Sequence, residues 1–239
     1  MEDYYATSAQ QGVSMLPYVL FGAVALLSWI VQSNLKRKFK KYSQVPMPNG
    51  MTGADVAAKM LRDNGINDVN IISTPGQLTD HYNPANKTVN LSEPVYATNS
   101  VAAAAVAAHE CGHAVQHATK YSWLQMRSKL VPMVSFASKW VQWVLLAGIV
   151  LLQAFPGLLL FGIILFACTT IFSFVTLPVE INASKRALAW MSSSGVTNYE
   201  TQRPAEDALR AAAYTYVAAA LGSLATLFYY LMIFMGRRD

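Results

Sequence analysis

The chain is 239 residues long, 54% hydrophobic and only 13% charged, whereas a soluble domain carries roughly a quarter charged residues. The deficit sits in long apolar runs, each near the roughly 20 residues a helix needs to cross a bilayer, which excludes an ordinary soluble globule. The net charge of +5 comes from basic residues flanking those runs, so membrane topology accounts for it without nucleic acid, and two distant cysteines, Cys111 and Cys168, make no disulfide framework and fit a reducing compartment.

The first residues carry Glu2 and Asp3 and no basic residue. A cleaved signal needs a basic start, so the first apolar run is expected to remain as an anchor. That run, Leu16 to Gln32, reads as the first span and stops at the basic cluster Lys36 to Lys41. Pro46, Pro48 and Gly50 mark a linker. Thr52 can cap a short helix that Asp55 supports and Gly65 ends. Alternation at Val69 to Ile72 and at Thr88 to Leu91, around Leu78 to Tyr82 and an Asn83–Asn86 turn, predicts a small two- or three-stranded sheet.

Ser100 can cap an alanine-rich helix ending near Lys120, and a further helical stretch covers Ser122 to Lys139. A span is predicted from Trp140 to Phe155, where Pro156-Gly157 breaks it, and another from Leu158 to Leu177. Pro178 then opens or kinks a helix that Gly195 ends, and Ala211 to Met235 is the last span. The expected segments are 1–33, an N-terminal piece with the first span; 34–99, linker, helix and sheet; 100–139, the histidine-bearing helix and its successor; 140–177, a transmembrane hairpin; 178–210, a cytoplasmic helix; and 211–239, the final span and tail. The fold class is therefore a mainly α membrane protein with about four transmembrane helices and a small cytoplasmic α+β insertion. Of 18 basic residues, most fall in the two large loops, which places both loops in the cytoplasm. The tail pair Arg237-Arg238 is on the wrong side for this topology.

The informative motif is His109-Glu110-Cys111-Gly112-His113, an HExxH pattern on the predicted helix. Histidines at i and i+4 share a helix face and can converge on one zinc ion (Zn2+). Glu110 lies about 100° round the helix, placed to take a proton from a water activated by the metal rather than to bind the metal. The alternative is a chance pattern on a helix, but three of the four histidines fall within nine residues. A catalytic zinc needs a third protein ligand. His117 is roughly 12 Å along the axis from His109, too far to join both histidines. Cys111 points away and reads as packing. His81 is unspecific. Glu180 lies beyond the third span on the motif's side, and its alternative is an interfacial charge at a helix N-terminus.

Beyond these residues the chain resembles the YugP-like membrane zinc metallopeptidases, through Leu78 to Pro84, Val101 to Gln116, Leu177 to Leu188 and Ala211 to Leu221. The third piece also resembles the E-x-x-A-D segment of HtpX-type proteases. That resemblance implies that Glu180 is the third zinc ligand and that Ser184 replaces an aspartate orienting a ligand histidine. Asp80 is a second candidate for that supporting role, with turn capping as its alternative. His81 and Tyr82 are candidate substrate or oxyanion contacts, on a sheet edge that could take a peptide as an added strand. Arg186 and Tyr214 are weaker candidates of the same kind.

The expected activity is zinc-dependent hydrolysis of peptide bonds in membrane-associated proteins or peptides, with Glu110 as general base, in a bacterial cell membrane with the site on the cytoplasmic side. The alternative is a zinc-binding membrane scaffold or regulator, whose structural site would be closed by a fourth protein ligand. A transporter is disfavoured because no span carries a central charged residue.

Overall fold

The computed structural model describes residues 15–236. The expectations resting on Glu2, Asp3 and the Arg237-Arg238 pair lie outside the described residues.

Among the described residues, seven helices and three strands follow in the order α1 (Leu16–Tyr42), α2 (Gly53–Asp63), β1 (Asn70–Thr74), β2 (His81–Asn83), β3 (Thr88–Ser92), α3 (Glu93–Ala97), α4 (Val101–Ala118), α5 (Ser122–Val150), α6 (Pro156–Ser193) and α7 (Tyr199–Met235). Four of them, α1, α5, α6 and α7, are long and apolar enough to cross a membrane. Their outer faces expose Trp29, Phe136, Trp143, Ile164 and Phe228, an apolar surface far beyond what a soluble monomer shows to water. The four pack in the order α5–α6–α7–α1. Small residues allow the closest approach: a Cβ at Gly148 would stand 2.6 Å from Leu159 Cα. At the other end of the row, Asp207 of α7 accepts from both Lys38 and Tyr42 of α1.

Three of the segment divisions do not coincide with helix ends. The divisions placed after residues 139, 177 and 210 fall inside unbroken helices, since α5 runs through Pro132, α6 through Pro178 and α7 through Pro204. One proline removes one hydrogen bond, and helices packed along their length absorb that loss. Glu180 is consequently in the middle of α6, and its reading as a helix N-terminal charge is corrected.

The smaller elements follow their local signals. Thr52 and Asp55 form a reciprocal capping box at α2, and Gly65 takes the left-handed conformation after it, with φ +70°. The sheet has the order β1-β3-β2, with β1 parallel and β2 antiparallel to β3. β3 is buried throughout. Val89 and Leu91 join Met60, Leu61, Ala104 and Ala108 in the core. The alanine run therefore does more than favour helix. From Val101 to Ala108 every residue of α4 is buried, and small side chains let α2, α6, α7 and the sheet approach it on several sides. Ser100 caps it by accepting from Ala103 N. The short α3 was not expected.

Candidate metal centre

His109 and His113 lie one turn apart on α4, with ring centroids 4.8 Å apart in an edge-to-face arrangement. α6 crosses α4 at Gly112, where an added Cβ would stand 2.7 Å from Ala183 O. No other residue permits that approach, which brings Glu180 and Ser184 to the histidines. Glu180 Oε2 lies 3.2 Å from His109 Nε2 and 3.5 Å from His113 Nε2. Donors about 2.0–2.1 Å from a tetrahedral zinc are separated by roughly 3.3–3.5 Å. The two Glu180 separations match that spacing, and all three ligand atoms lie within 4.8 Å of one another, so the trio could hold such an ion.

The other nitrogen of each ring is also held. His109 Nδ1 is 3.1 Å from Ser184 Oγ. His113 Nδ1 is 3.0 Å from Gln116 Oε1. The Gln116 amide is oriented independently, because its Nε2 donates to Val179 O at 2.8 Å and to Asn182 Oδ1 at 3.0 Å. Its oxygen must therefore face His113, so Nδ1 carries the proton and Nε2 offers its lone pair, the arrangement that ligand histidines need. Burial alone would lower the pKa of His113, but the Glu180 carboxylate outweighs it and the net direction is upward.

Glu180 is divided between two tasks. Arg127 Nη1 donates to its Oε1 at 3.0 Å, leaving Oε2 toward the histidines. A carboxylate this buried needs such a counter-charge. Glu110 is 8% exposed and sits outside the trio. Its Oε2 accepts from the backbone N–H of Tyr82 at 3.0 Å.

His109, Glu110, His113, Arg127 and Glu180 line one cavity of about 570 Å³, together with His81, Tyr82, Val131 and Tyr216. His81 is exposed on its wall, with Nδ1 2.7 Å from Thr79 O. Tyr82 meets Glu110 through its backbone, while its hydroxyl is 2.9 Å from His117 Nδ1. Burial raises the pKa of Tyr82, so the hydroxyl keeps its proton. His117 is thereby engaged away from the trio. Cys111 is fully buried against Ala57 O, and that burial pushes its thiol pKa far up.

Three expectations are corrected. Asp80 touches neither histidine; its carboxylate accepts from Ser92 N at 2.7 Å and from Ser92 Oγ, which ties the start of β2 to the end of β3 rather than capping a local turn. Arg186 donates to Asn182 Oδ1 at 2.7 Å, which places it behind Gln116. Tyr214 is not on the cavity wall, whereas Tyr216 is; two residues along a helix turn a side chain about 200°. Arg127, Gln116 and Tyr216 were not anticipated. Gln116 had a legible signal, because it follows His113 by three on the same helix face. Arg127 had none in the sequence.

His109, His113 and Glu180 form a donor set that could hold a metal ion, and the comparison points to zinc. The chain belongs to the family described as "Putative neutral zinc metallopeptidase", whose profile matches residues 17–235. It is 43% identical over 222 residues to "Putative membrane protease YugP" of Bacillus subtilis (strain 168), covering 93% of this chain and 97% of that protein. No solved structure matches it.

Proposed function

We propose that the protein is an active zinc-dependent endopeptidase cleaving membrane-associated proteins or peptides, with its site on the cytoplasmic side. The observation that carries the reading is the separation of roles. His109, His113 and Glu180 converge as a possible ligand set, while Glu110 stands beside them, held by Tyr82. Zinc at this trio would supply Lewis acidity toward a carbonyl oxygen and toward water. Glu110 takes the proton of the attacking water as the oxygen–carbon bond forms, then delivers it to the leaving nitrogen as the carbon–nitrogen bond breaks. The Tyr82 N–H holds one carboxylate oxygen and leaves the other free for that transfer. Ser184 and Gln116 keep the imidazoles in their ligating tautomer, and Arg127 neutralises Glu180.

His81 and Tyr82 are the proposed substrate contacts. β2 is an edge strand beside the cavity, suited to a peptide laid along it. Among the described residues the metal-binding group has three members, and His81 and His117 are turned to other partners. That supports an open catalytic position over a closed structural one. The test is a comparison of membrane proteomes from cells carrying wild-type protein and Glu110→Gln. Uncleaved precursors should accumulate in the variant; indistinguishable proteomes would refute the proteolytic reading.

A further inference from the structure

Helix phase sorts the basic run of α1 onto different faces. Lys38 and Tyr42 face α7 and are taken by Asp207. Lys36 and Lys40, one turn apart, face elsewhere, and among the described residues neither makes an ion pair. Both line a second cavity, of about 520 Å³, between α1, the β1–β2 loop and the start of α4. Its remaining walls are mostly apolar, with Leu35, Phe39, Leu78 and Val95 among them. The one acidic wall residue, Asp80, has its carboxylate occupied by Ser92.

Position adds a second constraint. The α1 wall begins at Gln32, where the apolar run ends, and reaches Ser43, about 16 Å further along the helix. The cavity thus extends outward from the edge of the hydrocarbon layer through the headgroup level. Leu78 hangs over it in a left-handed conformation, φ 59°, and is 70% exposed. Leu78 thus offers the cavity an uncovered apolar side chain that an apolar occupant would bury.

We propose that this cavity binds one anionic phospholipid, with the phosphate between Lys36 and Lys40 and the upper part of an acyl chain against Leu35, Phe39, Leu78 and Val95. A free anion has no use for the apolar walls. A zwitterionic lipid carries its own cation beside the phosphate, which the two lysines repel. The volume falls in the range of roughly 300–1,000 Å³ typical of ligand cavities.

The test is native mass spectrometry of the full purified chain with dioleoyl phosphatidylglycerol and, as reference, dioleoyl phosphatidylcholine. Wild type should retain the glycerol lipid preferentially. Lys36→Gln with Lys40→Gln should lower that retention by roughly tenfold or more. Arg37→Gln with Lys41→Gln, on other faces of the same run, should leave it unchanged. Leu78→Asn, which suits the left-handed backbone better, should lower retention of the glycerol lipid without lowering the melting temperature. Equal retention of the two lipids by wild type, or equal loss from the two lysine and arginine pairs, would reduce the effect to general surface charge and overturn the proposal. Undiminished retention by Leu78→Asn would overturn the apolar half of the site.

Discussion

Gly112→Ala tests how the centre is assembled. The added Cβ would stand 2.7 Å from Ala183 O, whereas a relaxed carbon–oxygen contact is roughly 3.3–3.6 Å. α6 and α4 must therefore separate by about 0.6–0.9 Å. Ala183 lies beside Ser184 and one turn beyond Glu180, so the displacement carries both away from His109. A site of this kind tolerates misplacement of roughly 0.5 Å. Overpacking costs about 1–3 kcal/mol, and alanine regains about 0.8–1 kcal/mol of helix propensity. Stability should fall modestly, while zinc affinity, measured by competition with a chelator, should fall about 10–100-fold. Gly22→Ala is the control, because nothing lies within 4 Å of its Cβ position; it should be neutral or stabilising. If Gly112→Ala binds zinc normally and melts higher than wild type, as helix propensity alone dictates, the close crossing is not what builds the site.

Three further outcomes are expected. Glu180→Ala should lose zinc as fully as His113→Ala in elemental analysis, and undiminished zinc would remove Glu180 from the ligand set. Gln116→Ala frees the His113 tautomer and should weaken zinc binding about 10–100-fold; undiminished zinc affinity would make Gln116 a packing residue only. A cysteine introduced at the exposed Asn86 should be labelled by an impermeant maleimide only after cells are permeabilised, since the basic loops specify the cytoplasmic side. Labelling of intact cells would put the site outside.

The features legible in the sequence were those with short-range causes. The Thr52–Asp55 box, the Ser100 cap, the strand alternation and the i, i+4 histidines each depend on residues a few positions apart. The helix continuities were not legible, because Pro178 carries the local signal of a break and only tertiary packing overrides it. The site divides in the same way. Ser184 was reached through resemblance, and Gln116 could have been found by helix phase. Arg127 and Tyr216 come to the cavity from helices whose relative rotation no local pattern encodes, and the error of two residues between Tyr214 and Tyr216 is an error of helix phase. Asp80 shows the opposite hazard, since a carboxylate two residues before Tyr82 binds Ser92 at the end of β3 and not the histidines.

In the proposed mechanism Glu110 performs the proton transfer without holding the metal. That role is tested most directly by purifying wild type and Glu110→Gln and measuring zinc content and peptide hydrolysis on the same samples. Equal zinc content is predicted, with hydrolysis reduced by roughly 10²–10⁴-fold or more. Hydrolysis at the wild-type rate, or loss of zinc together with the glutamate, would contradict it.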